Sequence, residues 1–157
     1  MILGPALDTD TSVSLDFVRL CLEGKMPVLP PAGFCIVDVR DVAEMHVAAA
    51  YDPQSIGQRY LSTGPFRTFV QAAAVLADSY PKAKVPSSEL PLWLMRIISR
   101  FSWSTRQLNA DLGCQRHFDG SKGAGLMGHE YRSPEEALLS AAESLIEFGI
   151  IDDSKVH

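Results

Sequence analysis

The sequence has little that would hold a disulfide, a metal or a membrane. Its three cysteines, Cys21, Cys35 and Cys114, are an odd number, lie far apart and form no C-x-x-C pair. That excludes a disulfide framework and a zinc site and fits a reducing, cytoplasmic setting. The four histidines, His46, His117, His129 and His157, fall at no metal-ligand spacing, and no metal is expected. No apolar run approaches the length a bilayer requires. The opening MILGPALDTD has neither the basic start nor the long apolar stretch of a signal peptide. Positive charge is in deficit, with 14 Lys and Arg against 19 Asp and Glu and a net charge of -5. A nucleic-acid partner is therefore not expected, because neutralising phosphates takes an excess of Lys and Arg. No G-x-S-x-G, phosphate-binding P-loop or H-E-x-x-H occurs.

What is present reads as a soluble α/β domain. Apolar residues make up 46% of the 157 and charged residues 21%, enough for one sizeable core. Ile2-Leu3 is a strand cut short by Gly4-Pro5, as if the chain starts in the middle of something. A helix is predicted over 12–23, capped by Ser12 or Ser14, burying Val13, Phe17, Leu20 and Cys21, and stopped by Gly24. A proline-rich loop leads to a β-branched strand over 34–39. Asp38 or Asp41 then caps a helix over 42–51 that Asp52-Pro53 ends. A short strand is expected over 58–62, an alanine-rich helix over 68–79, and a helix over 91–101 with Leu92, Met95, Ile97 and Ile98 for the core. Ser133-Pro134-Glu135-Glu136 forms a capping box with proline at the first helical position. The stripe Leu138, Ala142, Leu145 and Ile146 follows it, and Gly149 ends the helix. Alternating strands and helices make the class α/β.

Two stretches imitate catalytic motifs. GAGLMG, residues 123–128, has the G-x-G-x-x-G spacing of a dinucleotide turn. Such a turn needs a buried strand before it and a long helix after it, so that the helix N-terminus meets the pyrophosphate. Here Arg116-His117-Phe118-Asp119 precedes it, and His129 to Arg132 lead into a separate helix. Context makes GAGLMG a short helix capped by Asp119 or Ser121 and stopped by Gly128. Tyr80 and Lys84 have the Y-x-x-x-K spacing of a dehydrogenase proton-transfer pair. Pro81 and Pro86 break the helix that would put both on one face, which makes this an exposed loop. Asp38, Arg40 and Asp41 read as helix capping with a salt bridge rather than acid–base chemistry. His46 reads as a packed or surface residue, and Trp93 and Trp103 as core.

Taken together and in order, several stretches carry a resemblance. They are Gly4-Pro5, FCIVDVRDVAEMHVAAA (34–50), GQRYLSTG (57–64), Leu112-Gly113, DGSKGAGLMG (119–128) and SPEEALLSAAESLIEFGII (133–151). They resemble the C-terminal half of extended short-chain dehydrogenase/reductases of the NAD-dependent epimerase/dehydratase superfamily, in the branch similar to dihydroflavonol and bacterial aldehyde or ketone reductases. The resemblance implies a Rossmann-like reductase fold without its N-terminal dinucleotide-binding half. Residues 1–157 would then be a single incomplete domain, a substrate-binding lobe plus the last elements of the nucleotide-binding sheet. It implies hydride transfer between NADP or NAD and a small aldehyde, ketone or alcohol. The glycine-rich turn and the Tyr/Lys pair of the family lie upstream of the position matched by Gly4-Pro5, so no catalytic residue is assigned, and binding of the cofactor by this chain alone is not expected. It implies that Ser14 touches the cofactor and that Phe34 and Cys35 line the substrate pocket, with Met26 to Leu29 nearby. Core packing and helix capping are the competing roles of these residues. Strand edges at 2–3 and 58–62 would be left uncovered and prone to self-association or pairing with another chain. A non-enzymatic binding module and a sugar-nucleotide epimerase or dehydratase relative are the alternative readings.

Overall fold

The computed structural model describes residues 1–9, 12–101 and 111–156. Two small sheets are surrounded by helices. In the first, β1 (Ile2–Leu3) runs parallel to β3 (Val37–Asp38), with Ile2 opposite Val37 and Leu3 opposite Asp38. In the second, β2 (Gly33–Cys35) runs antiparallel to β4 (Phe66–Thr68), pairing Phe34 with Arg67. The single strand expected over 34–39 is thus two strands serving different sheets. The break is at Ile36, which is 1% exposed and donates its N–H to the Pro65 carbonyl instead of a ladder. Apolar run length says that a segment is buried, but not which neighbour it pairs with.

Helix α1 (Val13–Leu22) is capped by Ser12, whose hydroxyl accepts the Leu15 N–H. Its buried stripe is Leu15, Val18, Cys21 and Leu22, with Phe17 at the side. Val13, expected inside, is 89% exposed, and Leu20 is only half-buried. The face was misplaced because both stripes have helical spacing, and only the neighbouring helices decide between them. Helix α2 (Val39–Tyr51) starts three residues earlier than expected, capped by Asp38. Helix α3 (Phe69–Ser79) carries a full capping box between Thr68 and Gln71. Helix α4 (Leu92–Phe101) buries Met95 and Ser99, whereas Ile97 and Ile98 are exposed. Trp93, assigned to the core by sequence, is 65% exposed; Trp103 lies outside the described residues. Helix α5 is Ser121–Met127 and α6 is Pro134–Glu147. Only half of the capping box expected on α6 forms. The Ser133 hydroxyl accepts the Glu136 N–H, but the Glu136 carboxylate turns to Arg40, 3.2 Å away.

The core sits where α6 packs against α1 and α3. Ala137, Ala141 and Ala142 are fully buried on α6 and allow the backbones to approach closely, while Leu138 and Leu145 fill the space with Leu22 and Leu76. Burying each of these leucines contributes about 2 kcal/mol. Phe17 and Phe34 both pack on the Phe69 ring, at 4.9 and 5.4 Å between centroids. Residues 58–62 form no strand, contrary to expectation. Among the described residues no strand lies beside them. The Leu61 carbonyl instead accepts the Tyr131 hydroxyl, and Gln58 takes the Lys122 ammonium.

Candidate functional site

Two hollows border strand β1, and Ile2 lines both. The first, of about 370 Å3, is walled by Leu3, Gly4, Pro5, Ser14, Leu15 and Val39. Ser14 faces it while Ser12 does the capping of α1. The second, of about 320 Å3, has Phe34, Cys35, Leu61, Phe66 and Phe118 along its wall and Arg116 at its polar end. The Cys35 thiol donates to the Arg116 carbonyl at 3.2 Å, and the Arg116 guanidinium is paired with Asp111 at 2.9 Å. Sequence reasoning left Phe66, Asp111, Arg116 and Phe118 out of the site, because none belongs to a motif and all arrive through folding. Met26 and Leu29 are in neither hollow. Leu29 is fully buried in the core, and Met26 packs against it.

GAGLMG is wound inside α5 and its C-terminal turn. The Asp119 carboxylate accepts the Ser121 N–H, and Gly128 closes the helix in the left-handed conformation at φ 80°. The capping position itself is Gly120, which brings no side chain to it. A side chain added at Gly123 would strike the Tyr131 hydroxyl at 2.1 Å, whereas one at Gly125 would meet nothing within 4 Å. Gly125→Ala is therefore expected to raise stability by about 0.5–1 kcal/mol, because alanine is the better helix former. Chemical denaturation checks this, and a loss on substitution would show that Gly125 faces something. Tyr80 departs from the expected exposed loop. It is 4% exposed, at the end of α3, while Lys84 is in solvent. Burial pushes the Tyr80 phenol upward in pKa and Glu143 adds to it, opposite to the shift a proton-transferring tyrosine needs.

A dense ion-pair network joins α2 to the loop before α6. Asp38 is fully buried, caps α2 through the Arg40 N–H and grips the Arg40 guanidinium at 2.7 Å. Burial works to raise its pKa, but the hydrogen bonds from Arg40 outweigh it and hold the carboxyl below the usual range. The salt bridge expected of these residues is present. Asp41, also fully buried, has a partner the sequence concealed. It accepts the Arg132 backbone N–H at 2.7 Å and pairs with the Arg132 guanidinium from 91 residues away. Arg132 also reaches Glu44, which His129 touches at 2.8 Å. Asp41, Glu44 and His129 bring possible ligand atoms within 4.8 Å of one another. The Arg132 guanidinium already supplies the positive charge those carboxylates face, so the cluster reads as ion pairing. His46, on the exposed side of α2, has Nδ1 2.7 Å from the Val42 carbonyl oxygen.

The His129 imidazole is held above its usual 6.5 by its contact with the Glu130 carbonyl and by Glu44, and Glu44 is held below its usual 4.5 by His129 and Arg132. A raised histidine stabilises the fold below 6.5 and loses its contribution as pH rises through the folded value. A lowered glutamate contributes above 4.5 and is lost as pH falls through its own. Both act together only between these limits. The melting difference between wild type and His129→Gln is therefore expected to be larger at about pH 5.5 than at about pH 9. A difference independent of pH would contradict the ion pair.

No family model matches the chain, and no curated protein matches it. Solved structures do. The structure of gox2253 superposes with a TM-score of 0.75 at 21% identity, over 97% of this chain and 48% of that one. Yeast methylglyoxal/isovaleraldehyde reductase Gre2, complexed with NADPH, matches at TM-score 0.65 and 22% identity, over 94% of this chain and 41% of its own. Vestitone reductase from alfalfa (Medicago sativa) matches at 0.64 and 16%, over 96% and 43%. The chain has the fold of the C-terminal half of an extended short-chain reductase. It spans less than half the length of the reductases it matches. The residues present do not fit a whole nicotinamide dinucleotide. The one G-x-G-x-x-G spacing is consumed by α5, and the hollow at Ser14 offers mainly apolar walls. In this chain the two hollows share Ile2 of β1 as a lining residue. Among the described residues, no helix is long and apolar enough to cross a membrane.

Proposed function

We propose that this chain is the substrate-binding portion of an NAD(P)-dependent oxidoreductase that reduces small aldehydes or ketones or oxidises the matching alcohols. In this reading residues 1–157 are a single incomplete domain, and the nucleotide-binding half and the proton-transferring pair come from sequence outside them. Ser14 would meet the nicotinamide end of the cofactor, and Phe34 and Cys35 would wall the substrate. The observation that carries the reading is that the hollow of Ser14 and the hollow of Phe34 and Cys35 share Ile2 as a common wall. A lobe so placed can cover a reacting carbon and exclude water, while the hydride chemistry belongs to the cofactor. The Arg116 guanidinium at the second hollow is already neutralised by Asp111. That favours a neutral carbonyl compound over an anionic sugar nucleotide. A cytoplasmic setting goes with this reading.

The test is a chimera with the N-terminal portion of yeast Gre2 ahead of this chain. NADPH-dependent reduction of a small aldehyde is expected from the chimera and none from the 157 residues alone. Phe34→Ala is expected to raise KM for the aldehyde about tenfold, with NADPH affinity unchanged. Calorimetry showing micromolar NADPH binding by the isolated chain would sink the proposal.

A further inference from the structure

We infer that the outer face of α4 is a docking surface for the headgroup region of an anionic lipid bilayer. The contact is with the surface alone. A helix of ten residues reaches about 15 Å, and the hydrocarbon core is about 30 Å thick. The inference does not depend on the proposed function above.

The first argument is that α4 turns its apolar stripe outward. Leu92 packs against the core, and Met95 and Ser99, one turn apart, are 4% and 2% exposed. Ser99 is polar, but its hydroxyl is satisfied within the helix, where it donates to the Arg96 carbonyl at 2.9 Å. The apolar pairs Trp93–Ile97 and Leu94–Ile98, each spaced i, i+4, fall on the other side of the helix. Trp93, Ile97 and Ile98 are 65%, 48% and 36% exposed. A surface helix of a globular domain normally gives such a stripe to the core. Neither hollow beside β1 involves α4, so the stripe is a ridge and not the wall of one of these clefts.

The second argument is charge. Arg96 and Arg100 are exposed three residues after Trp93 and Ile97, so they border the apolar stripe. The sequence holds no acid between Glu89 and Asp111, and Asp111 is paired with Arg116 at 2.9 Å. A chain of net charge -5 thus gathers positive charge where it exposes apolar side chains. Tryptophan and isoleucine suit the boundary between headgroups and acyl chains, and arginine can lay its stem along them with its guanidinium among the phosphates. A second copy fits less well. Two-fold pairing of α4 with itself through Ile97 would bring like charges together with no acid between them. An acidic groove on another protein would have to admit α4 with the body of the domain behind it, whereas a bilayer surface is flat and yields.

The experiment mixes the 157-residue chain with vesicles of phosphatidylcholine, alone or with about 30% phosphatidylserine. Co-sedimentation is measured, together with the emission of Trp93 in a Trp103→Phe background. Binding to the anionic vesicles is expected to be about tenfold or more tighter than to the neutral ones, and to weaken as salt rises from about 0.1 to about 0.5 M. Trp93 emission is expected to shift to the blue. Arg96→Gln is expected to weaken binding to anionic vesicles about fivefold, and Ile97→Gln about tenfold. Val47→Gln, at an exposed apolar residue of α2, is the control and is expected to bind as wild type does. Both α4 sites are exposed, so each variant is expected to melt within about 2 °C of wild type, which separates lost docking from lost folding. If Ile97→Gln melts lower, Arg96→Gln carries the same test. No sedimentation with anionic vesicles, equal binding to both kinds, an unshifted Trp93 emission, or α4 variants that bind like the control would overturn the inference. So would a chain that sediments as a dimer which Ile97→Gln dissolves, since the stripe then belongs to a second copy.

Discussion

Gly64→Ala is expected to destabilise the protein by about 3 kcal/mol or more, lowering the melting midpoint by roughly 10 °C. A Cβ at that position would stand 2.0 Å from the Ile36 carbonyl oxygen and 3.2 Å from its carbon. Both are backbone atoms, so no side chain can swing aside. Ile36 cannot retreat either. It is buried, it bonds to Pro65, and it connects β2 to β3, which belong to different sheets. Any shift would disturb both ladders and the two hollows beside them. Gly125→Ala, with open space around it, is the matched control. Thermal melts of the pair check the prediction, and an unchanged midpoint for Gly64→Ala would mean that residues 63–65 do not press on Ile36.

Arg132→Ala is expected to cost about 3 kcal/mol, because it strips the guanidinium from a carboxylate that cannot reach water. Asp41 is fully buried, and its one remaining bond would be the Arg132 backbone N–H at 2.7 Å. The reverse change is expected to be milder. In Asp41→Asn the amide oxygen can still accept that N–H, and the Arg132 side chain, 29% exposed, can turn to solvent and to Glu44. A loss of about 1 kcal/mol is expected there. The double variant is expected to recover part of the Arg132→Ala loss, since no buried charge is then left unpaired. Urea denaturation of the three variants measures this. Strictly additive losses would show that the pair is not coupled.

Much of the local structure was legible before folding was considered. The capping residues Ser12 and Ser133, the stop at Gly128 and the α6 stripe all follow from interactions within a turn or two of chain. The GAGLMG segment shows how context corrects a motif, since the residues around its glycines specify a short capped helix. The candidate site was legible in part. Phe34, Cys35 and Ser14 do face hollows, but Phe66, Asp111, Arg116 and Phe118 carry no local signal. Tyr80 was misread for the same reason. Prolines after it mark a loop, but its ring is buried by packing that no proline reports.

By itself, the sequence determined the α/β class, most of the helix ends and the resemblance to half of a reductase, because capping, turn chemistry and periodicity act over a few residues. Tertiary structure alone decided which strand pairs with which, which face of α1 is inside, that Trp93 stays in solvent, and that Asp41 waits for Arg132 from 91 residues away. Those outcomes depend on what a surface meets after the chain folds back on itself. A hydrophobic pattern states that a face must be covered, and only the assembled structure supplies the neighbour that covers it.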